Sequence, residues 1–238
     1  MKTHLTYAIV AVGALALSPS AFAQSFNFTV STSTGPGAVL PSESYGAAAG
    51  QAGYWNSHVG TINAGQSVSL LDLNGTDTDV SFTSSSQFFA LSGTLNLVGA
   101  SPDDLGLLAG NWDISGSAGL ADQATFTFTG LASGMYDIYT YALSPSSATQ
   151  FTRVNVNAPA QDGEPGVQVV GGAFGGNLEL GITHSLHQAI QVTDGTLVIN
   201  ADSVNFGQIA GFQIQMIPAP GALALLGVAG LATRRRRR

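Results

Sequence analysis

At 238 residues without a single cysteine, the chain can hold no disulfide framework and no thiolate metal site. Seven Lys and Arg face fourteen Asp and Glu, but Lys2 and Arg234 to Arg238 stand at the ends, which leaves Arg153 alone against all fourteen acids and a charge of −13 on the body between. Such a body repels nucleic-acid phosphates and anionic polymers, and with Lys2 the only lysine it has neither a P-loop nor a Schiff-base residue.

Met1 to Ala23 opens with Lys2 and His4, continues through an apolar stretch from Tyr7 to Leu17, and closes on Ala21-Phe22-Ala23. That is the pattern of a secretory signal peptide, with Ala21 and Ala23 as the small residues of the cleavage site. Residues 1–23 are therefore expected to form a signal helix, and the exported chain to begin near Gln24.

Residues 24–216 are rich in Gly, Ser, Thr, Asn and Val and punctuated by turns. Phe26 to Val30 alternates apolar and polar residues with the period of a strand, and a Gly-, Ser- and Pro-rich linkage from Ser31 to Gly53 follows. Ser67 to Leu73 and Val80 to Thr83 read as hairpin partners around Asn74-Gly75. Ser101-Pro102-Asp103-Asp104 predicts one short helix with a Ser cap, Pro at its first position and acids in its first turn, stopped at Gly110. Further strands are expected at Ala124 to Thr129, Met135 to Ala142, Phe151 to Asn157, Val167 to Val170, Leu178 to His184, His187 to Thr193, Thr196 to Ala201 and Ile209 to Met216. About ten short strands with no interleaved helices predict an all-β fold, a β-sandwich or jelly roll with one short helix.

Chemistry-bearing residues are sparse. There is no G-x-S-x-G elbow and no H-E-x-x-H, and the glycine-rich run Gly171 to Gly176 lacks the spacing of a dinucleotide loop, so the body reads as non-enzymatic. His184 and His187 are expected on a turn whose corner is Ser185-Leu186, and His58 in a loop. Asp72, Asn74, Asp77 and Asp79 gather oxygen ligands of the kind Ca²⁺ takes, but without the spacing of an EF-hand or a bidentate Glu to close the site, and an ordinary polar hairpin loop, in which Asp and Asn favour turns, is the reading preferred over a calcium site. No other metal site or cofactor is expected. Tyr54, Trp55 and Asn56 in a Gly-rich stretch, and Trp112 after the helix, have two readings: aromatics that close the core, or contacts to a glycan.

The segment F-T-F-T-G-L-A-S-G-M-Y-D-I-Y-T-Y from Phe126 to Tyr141, with T-L-V-I-N-A and I-A-G-F-Q-I between Thr196 and Ile214, resembles the galactose-binding-like jelly rolls of carbohydrate-binding modules. The resemblance implies a sandwich whose loops and surface aromatics do the binding.

Residues 217–238 form a third region: Pro218-Ala219-Pro220, an apolar run from Gly221 to Thr233, then Arg234, Arg235, Arg236, Arg237 and Arg238. An apolar run closed by bases is expected to be a transmembrane helix that leaves its positive end in the cytoplasm, the arginines acting as the stop. Its roughly 20 Å of helix is short for a hydrocarbon core of about 30 Å, which points to marginal or temporary insertion. The tail resembles the PEP-CTERM sorting signal of bacterial envelope proteins, with Ala219 where the common form has Glu. The resemblance implies removal of the tail by an exosortase-type peptidase. The expected protein is an exported structural or adhesive component of the cell surface or extracellular matrix; the alternative is a carbohydrate-binding module of the envelope, with an extracellular polysaccharide as partner.

Overall fold

A computed structural model describes residues 24–114 and 123–218. In chain order these form β1 (Phe26–Ser31), β2 (Trp55–Val59), β3 (Ser67–Leu71), β4 (Asp77–Ser84), β5 (Phe89–Ser92), α1 (Pro102–Leu108), β6 (Gly110–Asp113), β7 (Gln123–Thr129), β8 (Gly134–Tyr141), β9 (Phe151–Val156), β10 (Gln168–Gly171), β11 (His184–Val192), β12 (Leu197–Asn205), β13 (Gln208–Ile209) and β14 (Gly211–Ile217). A six-stranded sheet, β10-β9-β12-β7-β4-β3, faces a five-stranded one, β11-β8-β14-β1-β2, and β13-β6-β5 forms a small third sheet. Among the described residues all pairings between these strands are antiparallel except β1 with β2. The expected β-sandwich is present, with more strands than the ten read from the sequence.

Alternation explains how the sheets meet. On β7, Ala124, Phe126 and Phe128 are buried while Gln123, Thr125, Thr127 and Thr129 face outward, and β12 repeats the pattern with Leu197, Ile199 and Ala201 inside. The other sheet supplies Phe26, Phe28, Ile138, Phe212 and Ile214. Their rings interlock: Phe28 meets Phe82 edge-on at 4.9 Å, and Phe126 meets Phe212 at 5.2 Å. Each buried aromatic pair of this kind adds about 0.5–1.5 kcal/mol to the burial of its area.

β1 is buried on both faces, which requires a further layer over its polar side. Asn27 and Gln51 exchange hydrogen bonds (Asn27 Nδ2 to Gln51 O, 3.0 Å; Gln51 Nε2 to Asn27 Oδ1, 2.9 Å), and Gln213 Nε2 donates to Asn27 Oδ1 at 2.8 Å. The stretch expected as linkage is thus bonded down onto the sheet. α1 lies beside it, with Thr29 Oγ1 donating toward Gly106 O at 3.2 Å and Leu107 O at 3.3 Å. Trp55, Leu107, Leu108, Tyr141 and Leu143 form a second apolar cluster in this layer.

The helix starts as expected. Ser101 Oγ accepts from Asp104 N–H at 3.1 Å and the Asp104 carboxylate accepts from Ser101 N–H at 3.1 Å, a reciprocal cap. At Gly110 the chain does more than stop: it enters β6, where a Cβ would lie 2.4 Å from Val30 O, so glycine lets the two backbones close up. The turn expected at Ser185-Leu186 is corrected. Both residues lie inside β11, and of the strand expected at Leu178 to His184 only His184 belongs to it, Leu180 making an isolated bridge and residues 181–183 a turn; a register shift between His187 and Ile190, with Ala189 at φ 54°, interrupts the alternation within β11.

The signal segment 1–23 lies outside the described residues, as does the tail beyond Pro218. β14 runs through Ile217, one residue past the boundary expected for the body. Among the described residues no helix is long and apolar enough to cross a membrane.

Candidate functional site

The outer face of the six-stranded sheet is a carpet of hydroxyls and amides, because each inward apolar residue forces its neighbours outward. Thr125 stands opposite Asn200 across β7 and β12, and Gln123 opposite Asp202. After β9 the chain turns at Asn157, whose φ of 56° is left-handed, and residues 157–161 fold over this face. Sheet and loop enclose a groove of about 470 Å³ lined by Gln123, Thr125, Asn157, Pro159, Gln161, Val198, Asn200 and Asp202 among others.

Its wall is fixed by hydrogen bonds. Asn157 N–H donates to Val198 O at 2.8 Å and Asn157 Oδ1 accepts from Val198 N–H at 2.9 Å. Asn200 Nδ2 donates to Ala158 O at 2.8 Å while its Oδ1 accepts from Thr125 Oγ1, also at 2.8 Å. At the edge Arg153 Nη1 meets Asp202 Oδ2 at 3.0 Å, which balances the one charged side chain of the lining, and Nη2 reaches the exposed Asp162 Oδ1 at 3.6 Å. What faces the groove is therefore neutral: the amide of Asn157, the amides of Gln123 and Gln161, and the aliphatic surfaces of Pro159 and Val198. Such a lining suits an uncharged, hydroxyl-bearing ligand and offers an anion no free cation.

The aromatic residues read from the sequence lie elsewhere. Trp55 is 3 % exposed and donates from Nε1 to Tyr45 O at 3.2 Å; Trp112 is 0 % exposed, stacks on Phe126 at 5.5 Å and donates to Gly60 O at 3.1 Å. Both close the core, and neither presents a face to a sugar. Asn56 is likewise buried, donating to Asn27 O and Leu71 O and accepting from Leu71 N–H, so it staples β2 to its neighbours rather than contacting a glycan. Tyr54 is half-buried beside Gly75. Tyr45 donates to Asp104, and burial first, then that carboxylate, pushes its phenol far up. Tyr141 donates to Gln213 Oε1 at 2.6 Å and accepts from Ala48 N–H at 2.9 Å, holding the covering loop.

The acidic candidates do not converge. Asp72 Oδ1 accepts from Thr76 N–H at 2.9 Å and Asn74 N–H at 2.8 Å, bonds that hold its carboxyl below the usual range and close the turn. Asn74, Asp77 and Asp79 are exposed, and among the described residues no three His, Asp or Glu side chains are placed to hold a metal. The Ca²⁺ reading thus finds a hairpin loop. Nor are the histidines surface residues. His184 and His187 are each 6 % exposed; burial lowers the first to about 4 and also lowers the second, whose Nε2 lies 3.0 Å from Gly166 O. His58 is half-buried, with Nε2 3.1 Å from Thr61 O.

Sequence reasoning did not find the groove. Its parts are far apart in the chain, and the signal available was the alternation V-I-N-A-D at Val198 to Asp202, which sets Asn200 and Asp202 on one face.

No protein-family model matches the chain, and no curated protein matches it. Among solved structures it is similar to TmCBM61, determined in complex with beta-1,4-galactotriose, at 13% identity and a TM-score of 0.28 over 45% of this chain and 70% of that one. A likeness that distant assigns neither ligand nor site.

Proposed function

We propose that this is an exported, non-catalytic structural or adhesive protein of the cell surface or extracellular matrix, delivered by a signal peptide and sorted through a C-terminal PEP-CTERM-like tail. The observation that carries the reading is the pairing of Met1 to Ala23 with Ile217 to Arg238 around one β-rich body. The tail engages the membrane through Gly221 to Thr233 with Arg234 to Arg238 as the stop, and Pro218-Ala219-Pro220 marks it for an exosortase-type peptidase. Mass spectrometry of the protein recovered from exosortase-bearing cells tests this: the expected mature chain begins near Gln24 and lacks the arginines. A C-terminus at Arg238 on every recovered species refutes sorting.

The groove favours a second reading, contact with a neutral extracellular polysaccharide. Its support is a lining whose one charged side chain, Asp202, is paired with Arg153. Titration with neutral oligosaccharides, followed by amide NMR, is expected to shift Asn157 and Gln161, and no response to any of them at millimolar concentration removes this reading.

A further inference from the structure

We infer that the end of the sandwich bearing both chain ends and the turns at residues 130–133 and 193–196 is the face apposed to a lipid headgroup surface; this rests on the tail reading proposed above. β1 begins and β14 ends at the same edge. Phe26 pairs with Ile214, Met216 N–H donates to Ser25 Oγ at 3.0 Å, and Gln24 Oε1 accepts from Ala132 N–H. Leu131 N–H donates to Gly195 O at 3.1 Å and Ser133 Oγ to Thr193 O at 2.9 Å, so the two turns cap this same end.

Distance decides the orientation. Ile217 is the last strand residue and Gly221 opens the apolar run, four residues on. Extended chain spans at most about 3.6 Å per residue, so the tether reaches roughly 14 Å. The polar layer of one leaflet is about 5–8 Å deep, which leaves this end of the body at the headgroups. The opposite end carries the most exposed large apolar side chains among the described residues, Leu95 at 82% and Val98 at 81%, in a loop where Asn96 Nδ2 donates to Ser144 O and Gly172 O. It would be the rival seat on a membrane. Yet β8 separates the two ends by eight residues, about 25 Å, which the tether cannot span. The apposed end is acidic: Asp194 lies between Thr193 and Gly195, Asp79 lies against Gly130, and Asp72 and Asp77 stand in the neighbouring β3–β4 hairpin, so an anionic headgroup surface would repel it and its partner is a zwitterionic one.

The absence of cysteine makes the test direct. The full chain carrying Thr193→Cys or Ala148→Cys, both exposed positions, is labelled with a fluorophore and reconstituted into phosphatidylcholine vesicles containing headgroup-quencher lipid. The Thr193 label is expected to be quenched several-fold more than the Ala148 label at the far end. Equal quenching, or stronger quenching at Ala148, with protein that floats with the vesicles overturns the orientation alone. Protein that does not float overturns the tail reading and the inference with it.

Discussion

Acidification from pH 7 to pH 5 is expected to destabilise the protein by about 2 kcal/mol through His184 alone. The imidazole lies on β11 between the rings of Tyr139 at 5.9 Å and Tyr141 at 5.6 Å, and its burial lowers its pKa from 6.5 to about 4. In the unfolded chain it takes up a proton as pH falls through 6.5; in the folded chain it resists until about 4. Between those values the unfolded state holds more protons, so stability falls with falling pH by up to about 1.4 kcal/mol per unit. His187, also lowered by burial, adds loss of the same sign. Asp72, lowered from 3.8, contributes stability that is lost only as pH falls below that value, so it does not confuse the interval. Urea unfolding at the two pH values, for wild type and His184→Asn, reads the effect: the variant is expected to lose about 2 kcal/mol less between them. An identical pH dependence in both proteins refutes the argument that buried neutral His184 opposes protonation.

Phe126→Ala removes a ring that contacts Trp112, Phe82, Phe88 and Phe212, and is expected to cost about 3–5 kcal/mol in urea unfolding. Ser101→Ala breaks the reciprocal cap of α1 and is expected to cost about 1 kcal/mol by the same assay. Thr140→Val is expected to stabilise by about 1 kcal/mol, because Thr140 Oγ1 is fully buried without a hydrogen-bond partner; a loss of stability would show that the hydroxyl is paired. Replacing Arg234 to Arg238 by Gln removes side chains that each cost about 2.5–3.5 kcal/mol to carry across a bilayer, and unprocessed protein with its tail intact is expected in the medium, detected by mass spectrometry; retention and processing as in wild type would show that the arginines are not the stop.

Where one face of a strand is dry and the other wet, the chain declares itself. Thr125 to Thr129 alternates Thr and Phe, and β7 falls where the pattern puts it. The Ser-Pro-Asp-Asp start of α1 is legible for the same reason: its hydrogen bonds are local. β2, β5 and β6 were illegible. β2 takes its pairing from β1 across the whole Ser31 to Gly53 stretch, and β6 is buried at Gly110, Asn111 and Trp112 in succession, which erases the alternation. Composition could not say whether Trp55 and Trp112 meet a sugar or the core, since a buried tryptophan needs only one acceptor for its N–H and each finds a backbone carbonyl. The groove was hidden because a left-handed Asn157 brings residues 157–161 over lining residues that lie as far as 34 residues earlier, at Gln123, and 45 residues later, at Asp202.

Arg153 sits between two carboxylates, and no other Lys or Arg lies between residues 24 and 218. Two copies of this body therefore have no fixed positive charge left to offer one another. Crowded into a polymer, they would retain mobile counter-ions to balance their acids, and those ions hold water by osmosis. Beyond a separation of about 8 Å at physiological salt the mutual repulsion is screened, but the trapped ions and their water remain. If the body is deployed in such a layer, that layer is expected to swell in water and to shrink on addition of divalent salt.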